Sequence, residues 1–146
     1  MIRAEIIAVG KMRKGPMLDL WDEYVKRMQW PLTLHEIDDK DPQKWEQKLA
    51  AKLNNRAFVV MLDERGKILD SREFAGKIET LSAEGLTDVQ FIIGGADGFS
   101  SQMRQQADFI LSFGRQTWPH MLARIMLIEQ IYRAQQILAG HPYHRD

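Results

Sequence analysis

Two stretches of this chain are apolar without alternation, and they limit its fold more than any other feature. Ala57–Leu62 reads AFVVML, and Phe91–Ile93 reads FII. A strand with one wet face alternates apolar and polar side chains. A strand that is apolar at every position is covered on both faces, as in a parallel sheet. Three more short segments, Ile2–Val9, Leu32–Ile37 and Phe109–Ser112, fit the same sheet. Between them lie segments whose apolar residues recur at three and four. Strands alternating with helices predict βαβ units, so the class is α/β, with a mainly parallel sheet flanked by helices. AFVVML is expected at the centre of that sheet.

The punctuation supports this division. Pro16 opens a first helix with Leu20, Trp21, Tyr24, Val25 and Met28 on one face, and Pro31 stops it. Asp41 is expected to cap a second, with Pro42 in its first turn and Trp45, Leu49 and Leu53 as its buried stripe. Asp63–Lys67 reads as a turn around Gly66. Ser71 is expected to cap a third helix carrying Phe74, Ile78 and Leu81, with Gly85 in the left-handed position at its end. Ser100 caps a short helix over about 101–107. Pro119 begins a last, long helix to about Ala139, ended by Gly140. His35 reads as a plain surface or half-buried strand residue.

Composition narrows the function classes. The chain has 146 residues, which predicts one domain over 1–146. There is no cysteine, so no disulfide framework or thiolate metal site exists. The first residues, MIRAEIIAVGK, are too short an apolar run for a signal peptide. No run reaches the ~18 apolar residues of a membrane helix, so no membrane partner is expected. A formal net charge of zero argues against coating nucleic acid by bulk charge. A local basic patch is still available. Lys11, Arg13 and Lys14 are the only charges between Ile6 and Leu18, and Arg115, Arg124, Arg133 and Arg145 crowd the last third.

The FIIGGADGFS stretch at 91–100 is the first candidate for a ligand edge. Glycines at a strand's carboxyl end remove Cβ atoms, and in open α/β sheets ligands sit outside that end. An ordinary strand-to-helix turn needing positive φ reads the same way, because GGxxG is not the stricter GxGxxG fingerprint. The last helix is apolar on four consecutive positions, Ile125–Ile128. A helix apolar all round is buried all round, which points to a deep core position or to a two-fold homodimer, here favoured. The ending His141-Pro142-Tyr143-His144-Arg145-Asp146 carries groups that stack, hold phosphate and move protons. Pro142 prevents a helical histidine pair and no third ligand is evident, so no metal is expected.

Several motifs together resemble one family. They are GGxxG after an apolar strand, Thr117-Trp118-Pro119-His120, the segment from Glu129 to Ala134 (EQIYRA), the final HPYHR, and Ala8 to Lys11 (AVGK). The whole chain is similar to the RlmH-type, or YbeA-like, methyltransferases of the SPOUT superfamily. The resemblance implies an α/β knot with a deep C-terminal trefoil, S-adenosylmethionine bound bent in the knotted loops, and a homodimer in the cytoplasm. It implies as substrate a pseudouridine in a large-subunit (23S) ribosomal RNA stem-loop, helix 69, methylated at N3 in the assembled ribosome.

The resemblance carries site residues with it. Cofactor contacts fall on Leu62, on Gly94 and on Phe113-Gly114-Arg115-Gln116-Thr117-Trp118. The family more often has a serine and an apolar residue where Gly114 and Gln116 stand, so backbone contacts carry over better than side-chain ones. Arg133, Tyr143 and His144 are the expected catalytic groups. His144 would take the N3 proton, Arg133 would steady charge on the neighbouring carbonyl, and Tyr143 would orient the base. Lys11, Arg13, His141 and Arg145 would hold RNA phosphates, and a tail from one subunit would complete the other's site. Two other classes use parts of the same pattern. A ribosome-binding assembly factor without catalysis explains the tail but not the glycine edge. A generic nucleotide enzyme lacks its phosphate loop.

Overall fold

The computed structural model describes residues 1–146. The elements run β1 (Arg3–Val9), α1 (Pro16–Arg27), β2 (Leu32–Ile37), α2 (Pro42–Ala50), β3 (Phe58–Ile68), α3 (Ser71–Ala83), β4 (Asp88–Ile93), α4 (Ser101–Arg104), β5 (Phe109–Ser112) and α5 (His120–Ala139). The five strands form one sheet in the order β2-β1-β4-β3-β5, and every pair is parallel. The middle strand is therefore β4, not β3. Each carries an uninterrupted apolar run, Phe58–Leu62 in β3 and Phe91–Ile93 in β4, because both are interior strands covered on two faces.

Alternation sorts the side chains into two cores. On one face Ile6, Val60 and Phe91 meet α1, α3 and α5. On the other Ile7, Met61 and Ile92 meet Trp45 and Leu49 of α2 and Met103 of α4. α5 packs against both α1 and α3. That contact absorbs Ile125, Leu127, Ile128 and Ile131, all buried, while Met121, Leu122, Met126, Ile137 and Leu138 remain half-buried.

Three local expectations are corrected. Asp70 caps α3, one residue before Ser71. Its carboxylate accepts from the Glu73 backbone N–H at 2.7 Å, and the Glu73 carboxylate accepts from the Asp70 N–H at 2.9 Å. That reciprocal box outcompetes a serine one position later. The short helix after Ser100 stops at Arg104, although Ser100 does cap it.

The third correction concerns Asp63–Lys67, which is part of β3 and not a free turn. The strand bulges there and returns to β5, so that Leu62 and Lys67 both register with Leu111. Gly66 makes this possible. A Cβ on it would lie 2.5 Å from the Ile110 carbonyl oxygen, so only a bare backbone fits. The chain thus lays 63–67 tightly around β5, beside the carboxyl ends of the strands.

Candidate functional site

A cavity of about 250 Å³ opens at the carboxyl ends of β3, β4 and β5. It draws its walls from three stretches far apart in sequence. Leu62, Gly94, Phe113, Gly114, Gln116, Thr117 and Trp118 all line it. Arg115, in the same loop, is exposed and is not among the lining residues. The carboxyl edge is where an open α/β sheet presents ligands to loops and helix starts.

The glycine turn serves packing first. A Cβ on Gly94 would come within 3.1 Å of both Phe99 and Trp45, and one on Gly95 within 3.3 Å of Trp45. Those rings stack edge-to-face, with centroids 5.5 Å apart. The glycines therefore make room for an aromatic pair that holds the rim. Gly98 supplies the positive φ of the turn, at +75°. Glu46 anchors the start of α4, accepting from the Ser100 N–H at 2.7 Å and from its hydroxyl at 2.6 Å.

The loop after β5 is tied to the bulge of β3. The Ser112 hydroxyl lies 3.1 Å from the Glu64 carbonyl and 2.9 Å from the Gly114 carbonyl, and accepts from the Gly114 N–H at 3.0 Å. The Trp118 indole donates to the Phe113 carbonyl at 3.2 Å. Polar character comes from residues that sequence reasoning missed. Asp63, Glu64, Asp97 and His120 line the cavity. The Asp63 side chain is only 5% exposed, and both bonds it accepts, from the Arg65 N–H and Nε, fall on Oδ1. Its second oxygen is left for a ligand hydroxyl or cation. The acidic DE pair directly after a buried strand was the available signal. Apolar walls beside this carboxylate suit a nucleoside bearing a positive charge.

Arg124 and Glu36, 88 residues apart in sequence, were also missed. Arg124 is 1% exposed and donates to Glu36 Oε2 at 2.6 Å and to the Gly10 carbonyl at 3.0 Å. The same Glu36 oxygen accepts from the Met12 N–H at 2.8 Å. Burial pulls the Arg124 pKa down, and Glu36 opposes that shift. The pair clamps the start of the Lys11–Gly15 loop against α5. Lys11 and Arg13 point outward from it, exposed. An arginine inside an apolar helix has to find a partner, and that was the signal.

The tail folds back on its own α5. Tyr143 donates to Glu129 Oε2 at 2.7 Å, and Arg133 Nη2 donates to the same oxygen at 2.7 Å. Burial first, and then the bond to Glu129, push the Tyr143 pKa well up, while Glu129 raises that of Arg133. Arg133 Nη1 lies 3.0 Å from His144 Nδ1, and His144 Nε2 lies 3.0 Å from Asp146. A guanidinium only donates and a carboxylate only accepts. The network therefore assigns the proton to Nε2 and the lone pair to Nδ1, facing Arg133. Arg72 closes the chain on Asp146 at 2.7 Å and holds that carboxyl below its ordinary range. His141 and Arg145 are exposed. His35 is half-buried and pairs with Glu5 at 2.7 Å. No three or more His, Asp or Glu side chains are grouped to hold a metal ion, and no helix is long and apolar enough to cross a membrane.

Known proteins share the chain's pattern over nearly its whole length. A family model described as "Predicted SPOUT methyltransferase" matches residues 2–144. The chain is similar to the "Ribosomal RNA large subunit methyltransferase H" of Rhodospirillum centenum, with 48% identity over 151 residues and 99% of both chains covered. The protein of the same name from Paramagnetospirillum magneticum is 46% identical over 151 residues, again with 99% of both covered. Among solved structures, a probable methylase family protein from Haemophilus influenzae Rd KW20 superposes with a TM-score of 0.60 at 9% identity, covering 99% of this chain and 71% of that one. The SpoU methyltransferase AviRb of Streptomyces viridochromogenes gives 0.51 at 14% identity, covering 95% and 61%. At such identities these two speak for the fold alone.

Proposed function

Because the chain belongs to the SPOUT methyltransferase family, among relatives named ribosomal RNA large subunit methyltransferase H, we propose that it transfers a methyl group from S-adenosylmethionine to ribosomal RNA. The target is N3 of a pseudouridine in the large-subunit stem-loop known as helix 69, in the assembled ribosome. The observation that carries the reading is the meeting of Leu62, Gly94 and the 113–118 loop around one cavity. No helical or strand periodicity would bring those three stretches together.

The donor supplies an electrophilic methyl group on a cationic sulfur. The cavity's own residues position it: apolar walls at Leu62 and Phe113, backbone groups of the 113–118 loop, and the free oxygen of Asp63. Alignment of nucleophile and methyl accounts for much of such a displacement. N3 must lose its proton as the N–C bond forms. His144 is the assigned acceptor, and its only free lone pair faces Arg133. Arg133 therefore has to leave His144 before the ring can act. In moving to the carbonyl oxygen beside N3 it would both free the base and steady the developing negative charge. Tyr143, hydrogen-bonded to Glu129, orients the nucleobase. Lys11, Arg13, His141 and Arg145 hold phosphates.

Residues 1–146 act as one domain, built on one sheet. We read the wrapping of 63–67 around β5 as part of a C-terminal trefoil knot, supported by the close fit of Gly66 on Ile110. The half-buried apolar residues of α5, with exposed Met17, Leu20 and Val25 on α1, support a homodimer, and the ribosomal substrate of the proposal puts it in the cytoplasm. The test is direct. Incubating the protein with labelled methyl donor and unmodified ribosomes should place label on one pseudouridine of the large-subunit RNA. Label elsewhere, or none, overturns the reading.

A further inference from the structure

Trp118 lines the cavity at the carboxyl ends of β3, β4 and β5, yet 38% of it is exposed. The other three tryptophans are buried or half-buried. We infer that its indole is a stacking platform for an unpaired base of the RNA substrate, held at the mouth of the cavity. The inference rests on the methyltransferase function proposed for the chain and deepens it. The ring is fixed before anything binds, because its Nε1–H donates to the Phe113 carbonyl at 3.2 Å. A pinned ring gives up little freedom when a base lies on it.

Charge decides what lies on the ring. Inside the cavity Asp63, Glu64 and Asp97 are acidic, and the one lysine or arginine of the lining, Arg65, is taken up by Asp63 at 3.3 Å. That interior repels a phosphate and admits a neutral base or a cation. Outside it the sign reverses. Arg115, in the same loop as Trp118, is exposed and does not line the cavity. The basic stretch from Lys11 to Lys14 starts against the first turn of α5. A Cβ on Gly10 would lie 3.3 Å from Met121 and 3.9 Å from His120. Buried Met12 and the bond from Arg124 to the Gly10 carbonyl, at 3.0 Å, hold that stretch in place, with Lys11, Arg13 and Lys14 exposed. None of these four cations pairs with an acid. An aromatic face beside unpaired cations is what a single-stranded RNA segment asks for. Its base stacks, and the flanking phosphates take the charges. A second copy fits worse. A two-fold interface centred on Trp118 would bring the four cations onto a copy of themselves.

The test uses the full chain, with unmodified ribosomes bound by sedimentation and methylated at subsaturating concentration, S-adenosylmethionine affinity by calorimetry, and mass by light scattering. Trp118→Leu keeps apolar bulk but loses the stacking face. It should weaken ribosome binding about tenfold and slow methylation to match, with donor affinity changed less. Trp118→Phe restores a ring and should recover ribosome binding to within about threefold of wild type. Arg115→Gln should lower the slope of log affinity against log salt by about 0.7, the share of one single-strand phosphate. Ribosome binding by Trp118→Leu within about twofold of wild type overturns the inference and leaves the broader reading intact. So does a phenylalanine variant no better than the leucine one, since bulk and not stacking would then be the cause. So does an unchanged salt slope for Arg115→Gln. A loss of donor affinity larger than the loss of ribosome affinity would put the donor's adenine on the ring, and a changed mass for Trp118→Leu would put a second copy there. Either result overturns the inference. Failure of the wild-type protein itself to bind the donor removes the function on which the inference stands, whatever the variants do.

Discussion

The rim of the cavity proposed to hold the donor, and the tail, are held by opposite means. The rim is fixed by close packing. Trp45 and Phe99 fill the space two glycines leave open, and Gly66 lies bare on the Ile110 carbonyl. The tail is fixed by a line of charged hydrogen bonds, from Arg72 through Asp146, His144 and Arg133 to Glu129 and Tyr143. Packing in a dense interior changes little with salt or pH. Exposed ion pairs weaken with both. The rim thus stays preorganised while the tail keeps the freedom to exchange partners, which the proposed freeing of His144 would require.

Four perturbations separate these two modes. Trp45→Ala should do most harm, because it empties the second core under the rim. A loss of about 3–5 kcal/mol in urea unfolding is expected, with donor affinity falling alongside. A stability equal to wild type would remove the packing explanation. Gly66→Ala forces a Cβ against backbone and should cost about 1–3 kcal/mol. Tolerance of alanine there would show that 63–67 does not hug β5. Glu129→Gln should cost about 1–2 kcal/mol by weakening its bonds to Arg133 and Tyr143. It should leave donor affinity unchanged, as a titration would show.

The smallest effect is on the tail's response to pH. The Asp146 carboxyl is depressed in the folded chain by Arg72, so its contribution is present above the ordinary carboxylate pKa of about 3.9. It is lost as pH falls through the lower folded value. Tyr143 is raised, so its contribution is complete below a phenol's ordinary pKa of about 10 and is lost as pH rises through the higher folded value. Amide exchange in residues 141–146 should accelerate at both extremes while β4 stays protected. Simultaneous loosening of β4 would mean the two regions are not independent.

Legibility in the sequence splits along the same divide between local and distant causes. β2 and β5 fall on the expected residues, and Asp41, Ser100 and Gly140 cap where they were placed, because those signals are local. The two uninterrupted apolar runs correctly implied a sheet covered on both faces. Asp63–Lys67 misled because a glycine between charged residues reads as a turn. Its true reason, contact with Ile110, is a long-range fact. Glu36 lies in a short strand and Arg124 among several arginines, and neither announces in sequence a partner 88 positions away. The cavity-lining loop was reached through family likeness, and only its position at the strands' carboxyl ends was reached from pattern.

One titration speaks to the centre of all this. S-adenosylmethionine is added calorimetrically to the wild-type chain and to Arg133→Ala, at low and high salt. A packed pocket independent of the tail gives saturable one-site binding in both proteins, with affinities within about threefold across salt, while methylation of ribosomes is lost in the variant. No binding by the wild type, or binding that disappears together with Arg133, would mean that the cavity at the ends of β3, β4 and β5 is not where the methyl donor sits.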